Sequence, residues 1–382
     1  QIGAHGAAAL YGGTIGRAVV HAVRHLPLAP DATLAPITGP MTIDDLRSYR
    51  TVDRAPTHVP YRGLDVYGMR PSSSGGITVG ESLNILEQFN LRAMDPVQQL
   101  HHYLEATRLA FADRNRYIGD PAFVSVPRRT LLSDPFAAQR ACLIDPDHAL
   151  LSPVAPGDLQ GSGQCTSATA DTTAGNEGAH TNHFVVSDRW GNVVSYTNTI
   201  EQLGGSGIVV PGRGFLLNNE LTDFNFAPTQ GTASDPNLPA AGKRPRSSMS
   251  PTIVLRHGRP FLAVGSPGGA SIITTVVQIL INRIDLGMSL PEAIAAPRAS
   301  QRNSAKTQAE PDFLALPTTP GLEALGQQFA VSDTSPLDPS IHIAPTIGVA
   351  SGLEFLRHGE VLAAGEPVRR GGSAAAVVRP AP

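Results

Sequence analysis

Apolar and polar positions change their rhythm part-way along this 382-residue chain. Before about residue 155 the apolar residues recur mostly at helical spacing. Ile15, Ala18, Val19, Ala22 and Val23 form one stripe, with Thr14 read as the cap of that helix. Thr42-Ile43-Asp44-Asp45 has the spacing of a capping box, with Asp in the place of Glu or Gln. Asp95-Pro96 puts a cap residue before a proline at the first helical position, and Val97, Leu100, Leu104 and Phe111 line the helix that follows. Ser133 with Pro135 opens another. Tyr61 to Met69 reads as a strand, followed by a Ser-Gly loop and a helix from Thr78 to Phe89.

Between about 152 and 180 the chain turns polar, rich in Gly, Ser, Thr and Asp, and reads as a linker. After Thr181 the period becomes that of strands. Phe184 to Val186 and Val193 to Tyr196 flank Asp188-Arg189-Trp190-Gly191-Asn192 as a hairpin, and Thr252 to Leu255 and Pro260 to Val264 flank His257-Gly258 as a second. A helix from Ala270 to Ile284 follows, then one capped by Ser289 with Pro291. Weak strands are expected at Ile341 to Val349, Gly352 to Phe355 and Ala374 to Val378. Helices before the linker and strands after it predict α+β layers shared by both halves.

Composition changes this picture little. Hydrophobic residues make up 41% of the chain, enough for a substantial core, and the net charge is −3. With no run of like charge, nucleic acid and anionic membranes are not expected partners. The 38 Gly and 33 Pro exceed the usual combined share of ~12% and predict many tight turns. Ile272 to Ile284 is too short and too polar to span a membrane. The two cysteines, Cys142 and Cys165, either pair in an oxidising compartment or stay free. The chain opens on Gln1 without a signal-like run, which reads as a processed or truncated piece.

Candidate chemistry centres on Thr181. A hydroxyl at the start of a strand, behind a polar connection, suits a nucleophile exposed by cleavage between His180 and Thr181. The new α-amine, with an ordinary pKa of roughly 7.7–8.0, would activate its own Oγ. The plain alternative is a β-branched strand residue. Thr199 and Glu201 lie at the far end of the first hairpin, where antiparallel pairing is expected to return Thr199 close to Thr181. Glu220 and Asp223 sit three residues apart in an amide-rich run. Ser247 and Ser248 follow, and Gly268-Gly269 stand between a strand and a helix. Acids suit an ammonium, hydroxyls a carboxylate, and glycine N–H groups near a helix N-terminus an oxyanion. Together they describe a γ-glutamyl substrate. No G-x-S-x-G elbow or H-E-x-x-H zinc motif occurs, and no cofactor or metal is expected.

Thr181-Asn182-His183-Phe184, Leu217-Asn218-Asn219-Glu220 through Asp223-Phe224, Arg244-Pro245 with Ser247-Ser248-Met249-Ser250-Pro251-Thr252, and Gly265-Ser266-Pro267-Gly268-Gly269 resemble the signature runs of the γ-glutamyltranspeptidases. Tyr61-Arg62-Gly63, Ser73-Ser74-Gly75-Gly76-Ile77, and Ala112-Asp113-Arg114 through Gly119-Asp120-Pro121 resemble the end of that family's large subunit. The resemblance implies a four-layer αββα N-terminal-nucleophile hydrolase sandwich, built as one intertwined domain. It implies autocleavage before Thr181 into a piece 1–180, ending in the linker of about 152–180, and a small catalytic piece 181–382, the two remaining as a heterodimer.

It makes Thr181 the nucleophile and Thr199 its hydroxyl partner. Glu220 and Asp223 would hold the α-ammonium, Ser247 and Ser248 the α-carboxylate, and Gly268 and Gly269 the oxyanion. Glu201 stands where relatives often carry Asn and would also face the ammonium. Implied substrates are glutathione and related γ-glutamyl amides, with water, an amino acid or a peptide as acceptor. An extracellular or periplasmic location follows from the resemblance only. The family's large subunit begins upstream of Gln1, and a carboxylate-clamping arginine would lie there. Asn182 departs from a commonly found Thr. The stretch Asn225 to Gly242, a lid in some members, has one aromatic, Phe226. Rival readings are a glutaryl- or cephalosporin-type acylase on the same scaffold, disfavoured by burying two acids without a cation, and a non-catalytic truncated remnant.

Overall fold

The computed structural model describes residues 1–33, 36–160, 165, 168–170, 172, 180–331, 345–369 and 371–379. They form two compact units, Gln1–Ala55 with Thr199–Glu220, and Pro56–Asn198 with Leu221–Pro382.

In the first unit, helix α1 spans Thr14–Arg24 and buries Ile15, Val19 and Ala22. Its N-cap is Gly13 rather than Thr14, whose hydroxyl instead donates to Gln1 Oε1 at 3.0 Å. Helix α2, Ile43–Ser48, carries the expected capping box, with Thr42 and Asp45 satisfying each other's backbone N–H.

The second unit is built on a six-stranded, wholly antiparallel sheet. Its strands are β1 (Thr57–Tyr61), β2 (Leu64–Gly68), β5 (Thr252–Arg256), β6 (Arg259–Gly265), β7 (Ser351–Phe355) and β8 (Val361–Gly365), in that spatial order. Two strands therefore precede Thr181 and four follow it. The segment expected as one strand from Tyr61 is half of a β1–β2 hairpin. Strands β3 (Asn182–Ser187) and β4 (Val193–Asn198) pair separately. They pack against β6 and β7, with Ser195 Oγ donating to the Val264 carbonyl at 3.4 Å and Ser351 Oγ to that of His183 at 3.3 Å. The outer face of this pair carries Phe184, Val186, Val194 and Tyr196, each about half exposed.

Helices α3 (Gly75–Glu87), α4 (Pro96–Tyr117) and α6 (Ser271–Ile284) supply most of the remaining core, and α5 spans Asp134–Ala141. Ile272, Ile273, Val276, Val277, Ile279 and Leu280, with Thr274, Thr275, Gln278 and Asn282 buried beside them, leave α6 almost no exposed face. Helix α3 begins three residues earlier than the expected Thr78, at Gly75. A short helix α7, Leu290–Ala295, has the expected Ser289 cap.

Three further expectations change. Residues 345–349 form no strand, and residues 341–344 of that expected strand lie outside the described residues. Residues 374–378 are irregular, with Val377 and Val378 almost fully exposed; five apolar residues do not make a strand without a partner. The linker is ordered at its start: Val154 is buried, bridges Thr169, and exchanges hydrogen bonds with the Asn303 side chain. The rest of that linker lies largely outside the described residues. Cys142 and Cys165 form a disulfide with a Cα–Cα separation of 5.3 Å, deciding a question the sequence left open.

The C-terminal segment is tied down by a buried ion network. Glu310 accepts Arg369 Nε at 2.6 Å and Nη2 at 2.7 Å, the Arg298 N–H at 2.8 Å and the Ile347 N–H at 2.7 Å. Glu366 pairs with Arg298 at 2.8 Å and with Arg369 at 2.9 Å. Removing one member strands the others without water, at about 3–5 kcal/mol. Glu310→Ala is therefore expected to lower the urea midpoint by that equivalent, and a loss below about 1 kcal/mol would show the network to be energetically idle.

Candidate active site

The site is built from turns at the ends of these elements. Thr181 immediately precedes β3, and the β3–β4 ladder ends on the pair Asn182–Asn198, one residue after Thr181 and one before Thr199. Alternation places Thr181, His183 and Val185 on the inward face. The His183 ring lies so close over Gly265 that a Cβ there would meet it at 2.3 Å. Only glycine admits that approach, and it brings the strand opened by Thr181 against the end of β6. His183 Nδ1 lies 2.8 Å from Thr197 Oγ1. Burial pushes the ring's pKa down to about 4, so this neighbour of the strand start is uncharged at neutral pH.

Three residues beyond Gly265, Gly268 and Gly269 take φ of +136° and +58°, values that favour glycine. The turn feeds α6: Ser271 Oγ donates to the Gly268 carbonyl at 2.7 Å, and the Ile272 N–H to that of Gly269 at 3.0 Å. The glycines thus stand at the positive end of a 14-residue helix.

Glu220–Asp223 is one turn of 3-10 helix. Asp223 is buried, and its carbonyl accepts Asn237 Nδ2 at 2.7 Å. Asn237 Oδ1 in turn accepts the Arg246 N–H at 2.8 Å. One amide therefore joins the turn carrying Asp223 to the run carrying Ser247 and Ser248, both buried. Neither Asn237 nor its supporter Asp235 was singled out from the sequence. Burial alone would raise Asp235, but hydrogen bonds from Asn237, Thr229 and Asn225 hold it below the ordinary carboxylate range, and these contacts organise the stretch from Asn225 to Asn237.

In the first unit, Glu201 is buried with φ +75°, a left-handed conformation unusual for a non-glycine residue and found preferentially at functional positions. Its N–H donates to Thr199 Oγ1 at 2.8 Å, and Asn219 Nδ2 donates to its carboxylate. Burial, then the charge of Glu201, pushes Glu220 up to about 7. Each unit thus carries part of the expected set: Thr199, Glu201 and Glu220 in one, Thr181, Asp223, Ser247, Ser248, Gly268 and Gly269 in the other. Among the described residues no cluster of metal-ligating side chains occurs and no helix is long and apolar enough to cross a membrane.

The family model for gamma-glutamyltranspeptidase matches residues 1–376. This chain belongs to the γ-glutamyltranspeptidase family. A glutathione hydrolase proenzyme of Bacillus subtilis (strain 168) is 40% identical over 311 residues, covering 80% of this chain and 51% of the relative. An acylase ACY 1 proenzyme of Pseudomonas sp. (strain SE83) is 37% identical over 299 residues, covering 78% of this chain and 48% of the relative. The crystal structure of a cephalosporin acylase from Bacillus halodurans superposes with a TM-score of 0.78 at 26% identity, over 99% of this chain and 61% of that one. The chain spans about half the length of the curated relatives it matches. As a γ-glutamyltranspeptidase family chain with a mixed helix and sheet architecture, it shares its fold with N-terminal-nucleophile hydrolases of both transpeptidase and acylase type.

Proposed function

We propose that the protein containing this chain transfers or hydrolyses γ-glutamyl groups, on glutathione and related amides, after cutting itself between His180 and Thr181. The freed Thr181 amine takes the Oγ proton as Oγ attacks the γ-carbonyl. The oxyanion is held by the N–H groups of Gly268 and Gly269 at the start of α6. Collapse returns the proton to the leaving amine and leaves a threonyl ester, which water or an acceptor amine resolves. Thr199 positions the nucleophile. Glu201, Glu220 and Asp223 receive the α-ammonium, and Ser247 and Ser248 the α-carboxylate. The reading includes a four-layer αββα sandwich and two pieces, 1–180 and 181–382, held together as a heterodimer. The central sheet, drawn from both, supports that assembly, and the Cys142–Cys165 bridge stays wholly within the first piece. A disulfide also fits an oxidising compartment, extracellular or periplasmic.

The observation that carries the reading is Asn237, which holds the turn of Asp223 and the serine run as one unit. A substrate bearing both an ammonium and a carboxylate at one carbon needs the two together. The likeness to a cephalosporin acylase supports an acylase as the second reading. Against it, two acids placed on one turn have no cation to meet in a glutaryl substrate. The protein is expected to show two bands on a denaturing gel, the smaller starting at Thr181, and to hydrolyse γ-glutamyl-p-nitroanilide far faster than its glutaryl counterpart. A single band, or glutaryl preference, overturns the proposal.

The position of Glu220 near 7 gives this reading a pH signature. Below pH 7 the group is protonated and uncharged, and it ionises as pH rises. KM for γ-glutamyl-p-nitroanilide is therefore expected to fall with rising pH, by up to about tenfold per unit below 7, and to level off above. Glu220→Gln should flatten the profile. A KM independent of pH from 5.5 to 8.5 in the unsubstituted enzyme would remove Glu220 from the ammonium site.

A further inference from the structure

Arg114 lies on α4, well before the cleavage point, yet it is buried against the serine run. Its Nη2 donates to Ser248 Oγ at 2.7 Å and its Nε to Ser74 Oγ at 2.8 Å. Ser74 passes the connection on: its Oγ donates to the Ser247 carbonyl at 2.8 Å and its N–H to the same oxygen at 2.7 Å. The Ser247 N–H donates back to the Ser72 carbonyl at 3.2 Å. One guanidinium thus fixes the Ser248 side chain directly and the Ser247 backbone through Ser74.

The direction of these bonds matters. A serine oxygen that accepts from a guanidinium must send its own hydrogen elsewhere. Ser247 Oγ is likewise an acceptor, from the Met249 N–H at 3.2 Å. Each oxygen must turn its hydrogen away from the group it accepts from, the polarity with which a hydroxyl meets a carboxylate.

We propose that Arg114 is a positioning residue for the α-carboxylate of the substrate, acting through Ser248. It orients that hydroxyl as a donor. The inference rests on the γ-glutamyl reading of the site and deepens it: the hydroxyl that meets the carboxylate is set from the first half of this chain, by a residue that does not itself touch the substrate. Lysine cannot reproduce the two-point fork that holds Ser74 and Ser248 together.

The test compares γ-glutamyl-p-nitroanilide with 4-aminobutyryl-p-nitroanilide, which keeps the ammonium and lacks the carboxylate, in the full-length enzyme. Arg114→Lys is expected to raise KM for the γ-glutamyl substrate about ten- to a hundredfold, the size of a hydrogen bond to a charged group. The γ-glutamyl kcat and the 4-aminobutyryl KM should each stay within about twofold of the parent. In a Ser248→Ala background, Arg114→Lys should add less than about twofold, because the two act as one unit. Equal losses on both substrates overturn the proposal, as does an undiminished loss in the Ser248→Ala background. An Arg114→Lys chain that fails to mature also counts against it, since Arg114 would then act only in folding. The γ-glutamyl reading fails separately, in the unsubstituted enzyme, if that enzyme does not prefer the γ-glutamyl substrate; this inference then falls with it.

Discussion

A Thr181→Ala protein is expected to remain a single polypeptide and to lose γ-glutamyl turnover by on the order of 10³-fold or more, as enzymes do on losing their nucleophile. One hydroxyl serves both steps in the proposed account, first against its own preceding peptide bond and then against substrate. The plain alternative makes a different forecast. Thr181 is half-buried and lies just outside β3, so as a mere strand-flanking residue its replacement by Ala would change little. Intact mass and the thermal midpoint separate the two. An uncut chain with a near-parental midpoint supports the nucleophile. A mutant still cut between His180 and Thr181 sinks autocatalysis by this hydroxyl. Thr181→Ser, which keeps the oxygen, should still be processed.

The second large effect concerns Asp223. Asp223→Ala is expected to raise KM for γ-glutamyl substrates by about two to four orders of magnitude, equivalent to about 3–5 kcal/mol for breaking a buried charge pair. Glutaryl analogues, which bring no cation, should lose less than about tenfold. The substitution leaves in place the bond that Asn237 makes to the backbone carbonyl of Asp223. Parallel titration of both substrates decides the matter, and equal losses would take Asp223 out of ammonium binding.

The local parts of this structure were legible in the sequence because each has a local cause. The β3–β4 and β5–β6 hairpins are bracketed by turns at Trp190-Gly191 and His257-Gly258, and the Thr42, Asp95, Ser133 and Ser289 caps all accept the expected backbone N–H groups. Strand β1 was missed because Pro60 argues against a central strand; β1 proves to be the edge of the sheet, where proline is tolerated. The start of α3 was missed because Gly75-Gly76 reads as loop, and packing overrides that weak preference in a helix that is buried nearly throughout.

The motif residues were legible through their family pattern, but their supports were not. Arg114 and Ser248 are 134 residues apart, and no periodicity links them. Asn237 sits in a stretch with no helical or strand rhythm, and it matters only because Asp223 and Arg246 fold to either side of it. Buried ionic contacts such as Glu310 with Arg369 are likewise set by tertiary closeness alone.

The most direct test of the account is the site of the covalent intermediate. The matured enzyme is mixed with a slowly turned-over γ-glutamyl anilide, quenched in acid, and its fragments are weighed. The account predicts one added γ-glutamyl group on the fragment beginning at Thr181, mapped to the Thr181 side chain and absent when glutaryl anilide is substituted at the same concentration. Product release with the adduct on another residue, or a glutaryl adduct forming more readily than the γ-glutamyl one, would contradict it.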